Sequence, residues 1–160
     1  MTTIIPFTRP MQGPFTFQPT LDGAQYTAQV TWALWGGRYY INLFDLGGTR
    51  IFSEPLVESP AGVILQSVAW ANGRVIATTN APHKFVVGAS VSLVVSGCEP
   101  DAYNGTVLAL VTGETAFQYP LAADPGDATK LGTAAYNISL TAGYFDSTLV
   151  FRNGQFEVSP

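Results

Sequence analysis

Charge is what this chain has least of. Seven of its 160 residues are Lys or Arg and eleven are Asp or Glu, which leaves a net charge of −4. The basic residues, Arg9, Arg38, Arg50, Arg74, Lys84, Lys130 and Arg152, are scattered along the chain. A protein that reads DNA or RNA needs a basic stripe along the phosphate path, so direct nucleic-acid readout is not expected. Cysteine is almost as scarce. A single one, Cys98, excludes an intrachain disulfide and any multi-cysteine metal knot. Its expected place is that of a small hydrophobe near a strand end. No apolar run approaches the roughly eighteen residues of a membrane-spanning helix, and no stretch of about ten residues shows helical periodicity. The start, Met1-Thr-Thr-Ile-Ile-Pro-Phe-Thr-Arg9, carries no positive leader followed by an apolar segment, so synthesis in a cytoplasm is expected.

Chemistry-bearing clusters are missing too. His83 is the one histidine, set between Pro82 and Lys84, with no nucleophile or orienting carboxylate in local reach. One His and one Cys cannot build a tetrahedral metal site. Asp124-Pro-Gly-Asp127 and Glu99-Pro-Asp101 could offer oxygens to a hard cation, but they lack the ligand density of a calcium loop and read as turns. No spacing among the acids selects a glycosidase pair. Gly36-Gly37 and Gly47-Gly48 open no helix, so they cannot cradle a phosphate. No enzyme activity, cofactor or metal is expected.

What is abundant is apolar and aromatic surface: 47% of residues are hydrophobic, among them ten Phe, seven Tyr and three Trp. That composition excludes global disorder. With so little charge, part of the exterior is expected to be covered by other subunits, the alternative being a monomer whose surface is Thr, Ser, Asn and Gln.

The strongest local pattern runs from Tyr26 to Asp45. Tyr26, Ala28, Val30, Trp32 and Leu34 alternate with polar residues, the period of a strand with one buried face. Trp35-Gly36-Gly37 reverses the chain. The return run places Tyr39, Ile41 and Leu43 on one side and Tyr40, Asn42 and Phe44 on the other. Upstream, residues 1–20 are dense in proline (Pro6, Pro10, Pro14, Pro19) and read as an edge strand or a peripheral arm. From Ala61 to Tyr136 the texture shifts to Val, Ala, Thr and Gly, with hairpin signals at Asn72-Gly73 and Gly113-Glu114, and a loop over 122–135. The end, Tyr144 to Val158, is again an aromatic hairpin, turning at Asn153-Gly154. The economical reading is all-β, with about ten to twelve strands. A discontinuous antiparallel sandwich or barrel, residues 1–60 plus 137–160, is interrupted by an inserted small β-barrel, residues 61–136.

Leu21-Asp-Gly-Ala-Gln-Tyr26, the Trp32 strand, Gly37-Arg-Tyr-Tyr-Ile-Asn-Leu-Phe-Asp45 and Leu149-Val-Phe-Arg-Asn-Gly-Gln-Phe-Glu-Val158 together resemble the baseplate plug proteins of contractile-tailed phages, a family known from cyanophage baseplates. In the middle block, Ala81-Pro-His-x-Phe-x-x-Gly-x-x-Val91, Ala102-Tyr-Asn-Gly-Thr106 and Phe117-x-Tyr-Pro-Leu121 resemble a small barrel module that recurs in phage structural proteins. That module is similar to the barrel half-domain beside the catalytic cysteine of ubiquitin-activating enzymes, and the likeness implies no ubiquitin chemistry. The plug resemblance implies a structural virion component near the central hub of the baseplate, closing or stabilising the end of the tail tube. It implies contacts with hub and tube proteins and a homo-oligomer. Trp32, Trp35, Arg38, Tyr40, Phe44, Phe151, Arg152 and Phe156 are the candidate interface residues, with two-sided core packing as the alternative use of the aromatics. Arg38 and Arg152, each beside aromatics in its hairpin, could form interface ion pairs or simply stabilise their own turns. The competing function is a tail-associated carbohydrate-binding module that stacks sugars on Trp35 and Tyr40.

Overall fold

The computed structural model describes residues 1–9 and 13–160. It is all-β, as the alternating patterns predict. In chain order the strands are β1 (Thr3–Pro6), β2 (Phe15–Phe17), β3 (Thr20–Leu21), β4 (Ala24–Gln25), β5 (Thr27–Ala33), β6 (Arg38–Phe44) and β7 (Arg50–Pro55). They continue with β8 (Val63–Ala71), β9 (Arg74–Thr79), β10 (Ser90–Ser96), β11 (Gly105–Gly113), β12 (Ala116–Pro120), β13 (Thr133–Tyr136), β14 (Thr148–Arg152) and β15 (Gln155–Ser159). The helical content among the described residues is one 3-10 turn, Asp101–Tyr103, and no helix there is long and apolar enough to cross a membrane. The chain divides into two compact units, Met1–Ser59 with Ile138–Pro160, and Pro60–Asn137.

The discontinuous unit holds two main sheets, β2-β5-β6-β7 and β1-β15-β14, together with the short β3-β4 pair. Their apolar faces share one core. Ala28 and Val30 of β5, Ile41 and Leu43 of β6 and Phe52 of β7 meet Leu149, Phe156 and Val158 from the other sheet. The β5–β6 register, Thr27↔Phe44 through Ala33↔Arg38, sets Val30 beside Ile41 and Ala28 beside Leu43, which is how period-2 alternation becomes a buried face.

Of the two readings of the proline-rich beginning, the edge strand holds where it is described, and one other expectation for this unit needs correction. β1 pairs with β15 and β2 with β5, each at the edge of its sheet. Pro6 sits at the end of an edge strand, where a missing N–H costs no ladder bond, and Phe7, Phe15 and Phe17 turn inward. Pro10 lies outside the described residues. The apolar face of β5 is not buried throughout. Ala28 and Val30 are fully covered, whereas Trp32 is 52% and Leu34 85% exposed. Strands β5 and β6 are seven residues long and the facing strands four or five. At about 3.3 Å per residue the hairpin outruns its cover by about 7 Å.

The turn at the far end follows its chemistry. Asn153 and Gly154 both have positive φ, 50° and 72°, the type I′ geometry that matches strand twist.

A carboxylate ties the β3–β4 turn to the second segment of this unit. Asp22 accepts hydrogen bonds from the backbone N–H groups of Ser147 at 2.7 Å and Asp146 at 3.2 Å, while its own N–H donates to the Ser147 hydroxyl. Those donors favour the ionised form and hold the Asp22 carboxyl below its ordinary value. A depressed folded-state value means that the stabilisation is present above the unfolded carboxylate pKa and is lost as pH falls through the lower folded one. Asp22→Asn is therefore expected to be less stable than the parent at neutral pH, and the two should converge in urea melts below about pH 3.9. A gap that persists unchanged into strong acid would remove the charge from the explanation.

The other unit is a closed six-stranded barrel in the order β10-β11-β12-β9-β8-β13, so it has no free sheet edge. Its interior is Leu65, Val75, Leu93, Val95, Phe117, Tyr119 and small residues such as Ala77, Ala109 and Ala134. Two buried tyrosines are satisfied in series: the Tyr119 hydroxyl donates to the Tyr103 carbonyl at 2.8 Å, and the Tyr103 hydroxyl donates to the Gly126 carbonyl at 2.6 Å. Burial pushes both phenols up. The expected loop over 122–135 is a loop only in part. Its last residues belong to β13, which pairs with β10 on one side and β8 on the other and closes the barrel.

Candidate functional site

Most of the candidate chemistry resolves into structure. The His83 ring is buried and stacks on Phe85 with centroids 4.6 Å apart; its Nδ1 accepts the Phe85 N–H at 3.1 Å, and its Nε2 has no hydrogen-bond partner. Nothing nucleophilic among the described residues is bonded to it, and the ring packs between Phe85 and the core residue Phe117. Cys98 is buried and burial pushes its thiol up, the opposite of an activated nucleophile. Asp124 accepts the Gly126 N–H at 2.9 Å, Asp101 accepts from the Asn104 amide at 2.8 Å, and Glu99 pairs with Lys130 at 3.5 Å. Each of these acids serves a turn, and among the described residues no three His, Cys, Asp or Glu side chains group as a metal site.

The candidate interface residues separate into two sets. Phe156 is 0% exposed at the centre of the core and is not available to another chain. Arg152 is buried as well, and its Nη1 lies 3.1 Å from the Glu157 carboxylate across its own hairpin, so it is an internal ion pair and not an interface one. The two lie on opposite faces of the β14–β15 hairpin: Phe156 is registered against Phe151 on the face that packs into the core, and Arg152 shares the other face with Glu157. Phe151 is half-buried, edge-on to Phe7 at 5.6 Å. Tyr40 and Phe44 are half-buried on the other face of β6, flanking Asn42, whose amide donates to the Thr31 hydroxyl at 3.2 Å.

Trp32, Trp35 and Arg38 remain at the surface, all at the projecting end of the β5–β6 hairpin. Trp35 is fully exposed at the tip, next to Leu34. Beneath the tip lies an open cleft of about 1160 Å³. Trp32 and Tyr39 are cross-strand partners in its wall, with ring centroids 4.8 Å apart at 69°, and Tyr39 is held edge-on by Phe7 at 5.6 Å. Arg9 and Glu58 border it as well, and so do Thr31 and Arg38, from strand positions that alternate with Trp32 and Tyr39 and so belong to the opposite face of the hairpin. Neither Arg9 nor Arg38 makes an ion pair or a side-chain hydrogen bond with a described residue, whereas Glu58 accepts the Asn153 N–H at 3.0 Å.

Sequence reasoning singled out Trp32 and Arg38 and placed Tyr39 in the same hairpin, but missed Arg9 and Glu58 as their neighbours. Arg9 and Glu58 lie in segments without periodic pattern, and only the three-dimensional pairing of strands brings them to one place. No family model, curated protein or solved structure matches this chain.

Proposed function

We propose that this protein is a non-enzymatic structural subunit of a phage tail, seated in the baseplate near the central hub, where it closes or stabilises the end of the tail tube through protein–protein contacts. The carrying observation is the bare hairpin tip, where Leu34 and Trp35 stand in solvent in the turn that joins two fully paired strands. Covering a large apolar side chain is worth about 1.5–3 kcal/mol, and tryptophan is prominent among residues that dominate protein interfaces. The barrel adds to the same reading. Ile76, Leu108 and Leu110 are exposed on its outer face, with Ile76 and Leu110 both registered against Gln118. The sequence resemblance to baseplate plug proteins supplies the tail context, and the low charge suits a surface that is covered in an assembly.

In this role the protein works by oligomeric packing with copies of itself and with hub and tube neighbours, and is displaced on tail contraction without any bond being cleaved. Mass spectrometry of purified virions of the encoding phage is expected to find it in the tail fraction, and its absence there would sink the proposal. In solution, light scattering over a concentration series should show a mass that rises above the monomer. Trp35→Ser should lower that mass at every concentration while leaving the melting transition in place, because the side chain contributes nothing to the core.

A further inference from the structure

We propose that the outer edge of β1 is a homotypic interface, where a second copy of this chain pairs its own β1 antiparallel about a two-fold axis at Ile4. The proposal deepens the structural role just given and rests on its self-association, though not on its place in a tail.

Alternation fixes which backbone groups the edge offers. The Phe7 N–H donates to the Gly154 carbonyl at 3.0 Å, and the β1–β15 register runs without a shift from Thr3↔Val158 to Pro6↔Gln155. Residues along an antiparallel strand turn their N–H and C=O groups alternately to one side and the other, so Thr3 and Ile5 face β15 as Phe7 does. Thr2, Ile4 and Pro6 face away, and among the described residues no backbone group bonds to theirs from that side. The far edge of the same sheet is taken. Ser59 donates its N–H to the Phe151 carbonyl and Leu140 to the Leu149 carbonyl, both at 2.7 Å, which covers β14. That leaves β1 as the open edge of this sheet. Exposed edges are commonly blunted by lysines, bulges or a covering loop. Thr3-Ile-Ile-Pro6 has one proline at its end and no charged side chain.

Side chains choose the register. With Ile4 opposite Ile4 of the second copy, the two exchange a reciprocal pair of N–H···O=C bonds. Each Thr2 N–H then donates to the other copy's Pro6 carbonyl, a position where the missing proline donor costs only a bond to the water-exposed Thr2 carbonyl. Sliding to Ile4 opposite Thr2 makes as many bonds but separates the isoleucines. The Ile4 side chain is 47% exposed in the single chain, and the chosen register covers it with its own counterpart. Charge permits the approach. Glu157, registered against Ile4, is already paired with Arg152 at 3.1 Å, so a second copy brings no unpaired like charges to the seam.

A ladder this short buries less than the roughly 1,200 Å² of a standard specific interface, so a weak dimer is expected. It closes at two copies, because pairing uses up the open edge of the sheet in both.

The test follows backbone amide exchange of the intact chain by NMR, from about 20 µM to about 1 mM, alongside its mass by light scattering. The Ile4 amide is expected to exchange freely when dilute and about tenfold more slowly when concentrated. Trp35→Ser should leave that protection as it is, which separates the β1 edge from contacts made by the hairpin tip. Ile4→Pro removes a donor that takes no part in the β1–β15 ladder, so the melting transition should stay in place. Added to Trp35→Ser, it should hold the chain at the monomer mass. Ile5→Pro removes a donor that faces β15 and should lower the melting temperature instead. Free exchange of Ile4 at every concentration overturns the proposal, whatever the mass does, and leaves the wider structural role standing. Protection that vanishes with Trp35→Ser would assign the contact to the tip and overturn it as well.

Discussion

Phe156→Ala is expected to destabilise the discontinuous unit by about 3–5 kcal/mol, a large share of the roughly 5–15 kcal/mol that holds a domain together. The size follows from what the ring touches. Phe156 lies 4.6 Å from Phe17, 4.9 Å from Phe151, 6.0 Å from Phe7 and 6.3 Å from Phe15, measured between centroids. Phe17 belongs to the four-stranded sheet and Phe151 to the three-stranded one, so this ring joins the two layers. Phe151 and Phe7 are fixed by further edge contacts and cannot collapse into the space without giving those up. The barrel has its own core, which contains none of these residues. Urea melts should therefore show an early transition reported by Trp32, which loses its contact with Tyr39, and little change in the signal from Trp70, whose indole donates to the Leu121 carbonyl within the barrel. Phe156→Leu keeps most of the volume and should cost about 1.5 kcal/mol or less. If alanine costs no more than leucine, the two sheets close over the gap and the ring is not the joint between them.

The same ring shows where sequence reasoning succeeds and where it stops. That Phe156 belongs to a hairpin turning at Asn153-Gly154 is legible, because only a few residue types accept two successive positive φ values. That the ring points inward is not, since alternation gives two faces without saying which one meets another sheet. The β5–β6 hairpin repeats the lesson. Its register and its faces follow from period 2, but the exposure of Trp32 and Leu34 depends on the length of strands far away in sequence. The link from Asp22 to Ser147 spans 125 positions and has no local signature. The cleft is illegible for the same reason: Arg9 and Arg38 come from unrelated segments. In the barrel, Thr133-Ala-Ala-Tyr136 escaped as a strand because it has no large alternating side chains, although Ala134 is fully buried.

Close backbone approach just ahead of the same strand produces the second large effect. Gly132→Ala is expected to destabilise the barrel by about 3 kcal/mol, the upper end of the cost of overpacking, or more. The residue has no unusual φ, so the demand is for space alone. A Cβ at this position would collide with the Ser96 carbonyl oxygen and come within 2.8 Å of the Ser96 and Gly97 carbonyl carbons. These are backbone atoms and cannot swing aside as a side-chain end can. Gly132 is held from the opposite direction too, because its carbonyl accepts the Leu65 N–H at 3.0 Å while its own N–H faces the Cys98 thiol. The strain falls where β13 begins, at the Ser96↔Thr133 pair, so relieving it means loosening one of the two seams that close the barrel. Cys98 provides a readout that global unfolding does not. In the parent it is buried with its thiol pushed up, and a disulfide reagent should label it very slowly. In the variant, labelling in native buffer should accelerate by an order of magnitude or more, in line with the lost stability. Gly113→Ala is the control: its added Cβ meets only the Ala116 Cβ, at 3.8 Å, and it should stay within about 1 kcal/mol of the parent with Cys98 still protected. Equal stability and equal labelling in the two variants would mean that β13 can shift without cost, and that the barrel does not depend on a glycine at its seam.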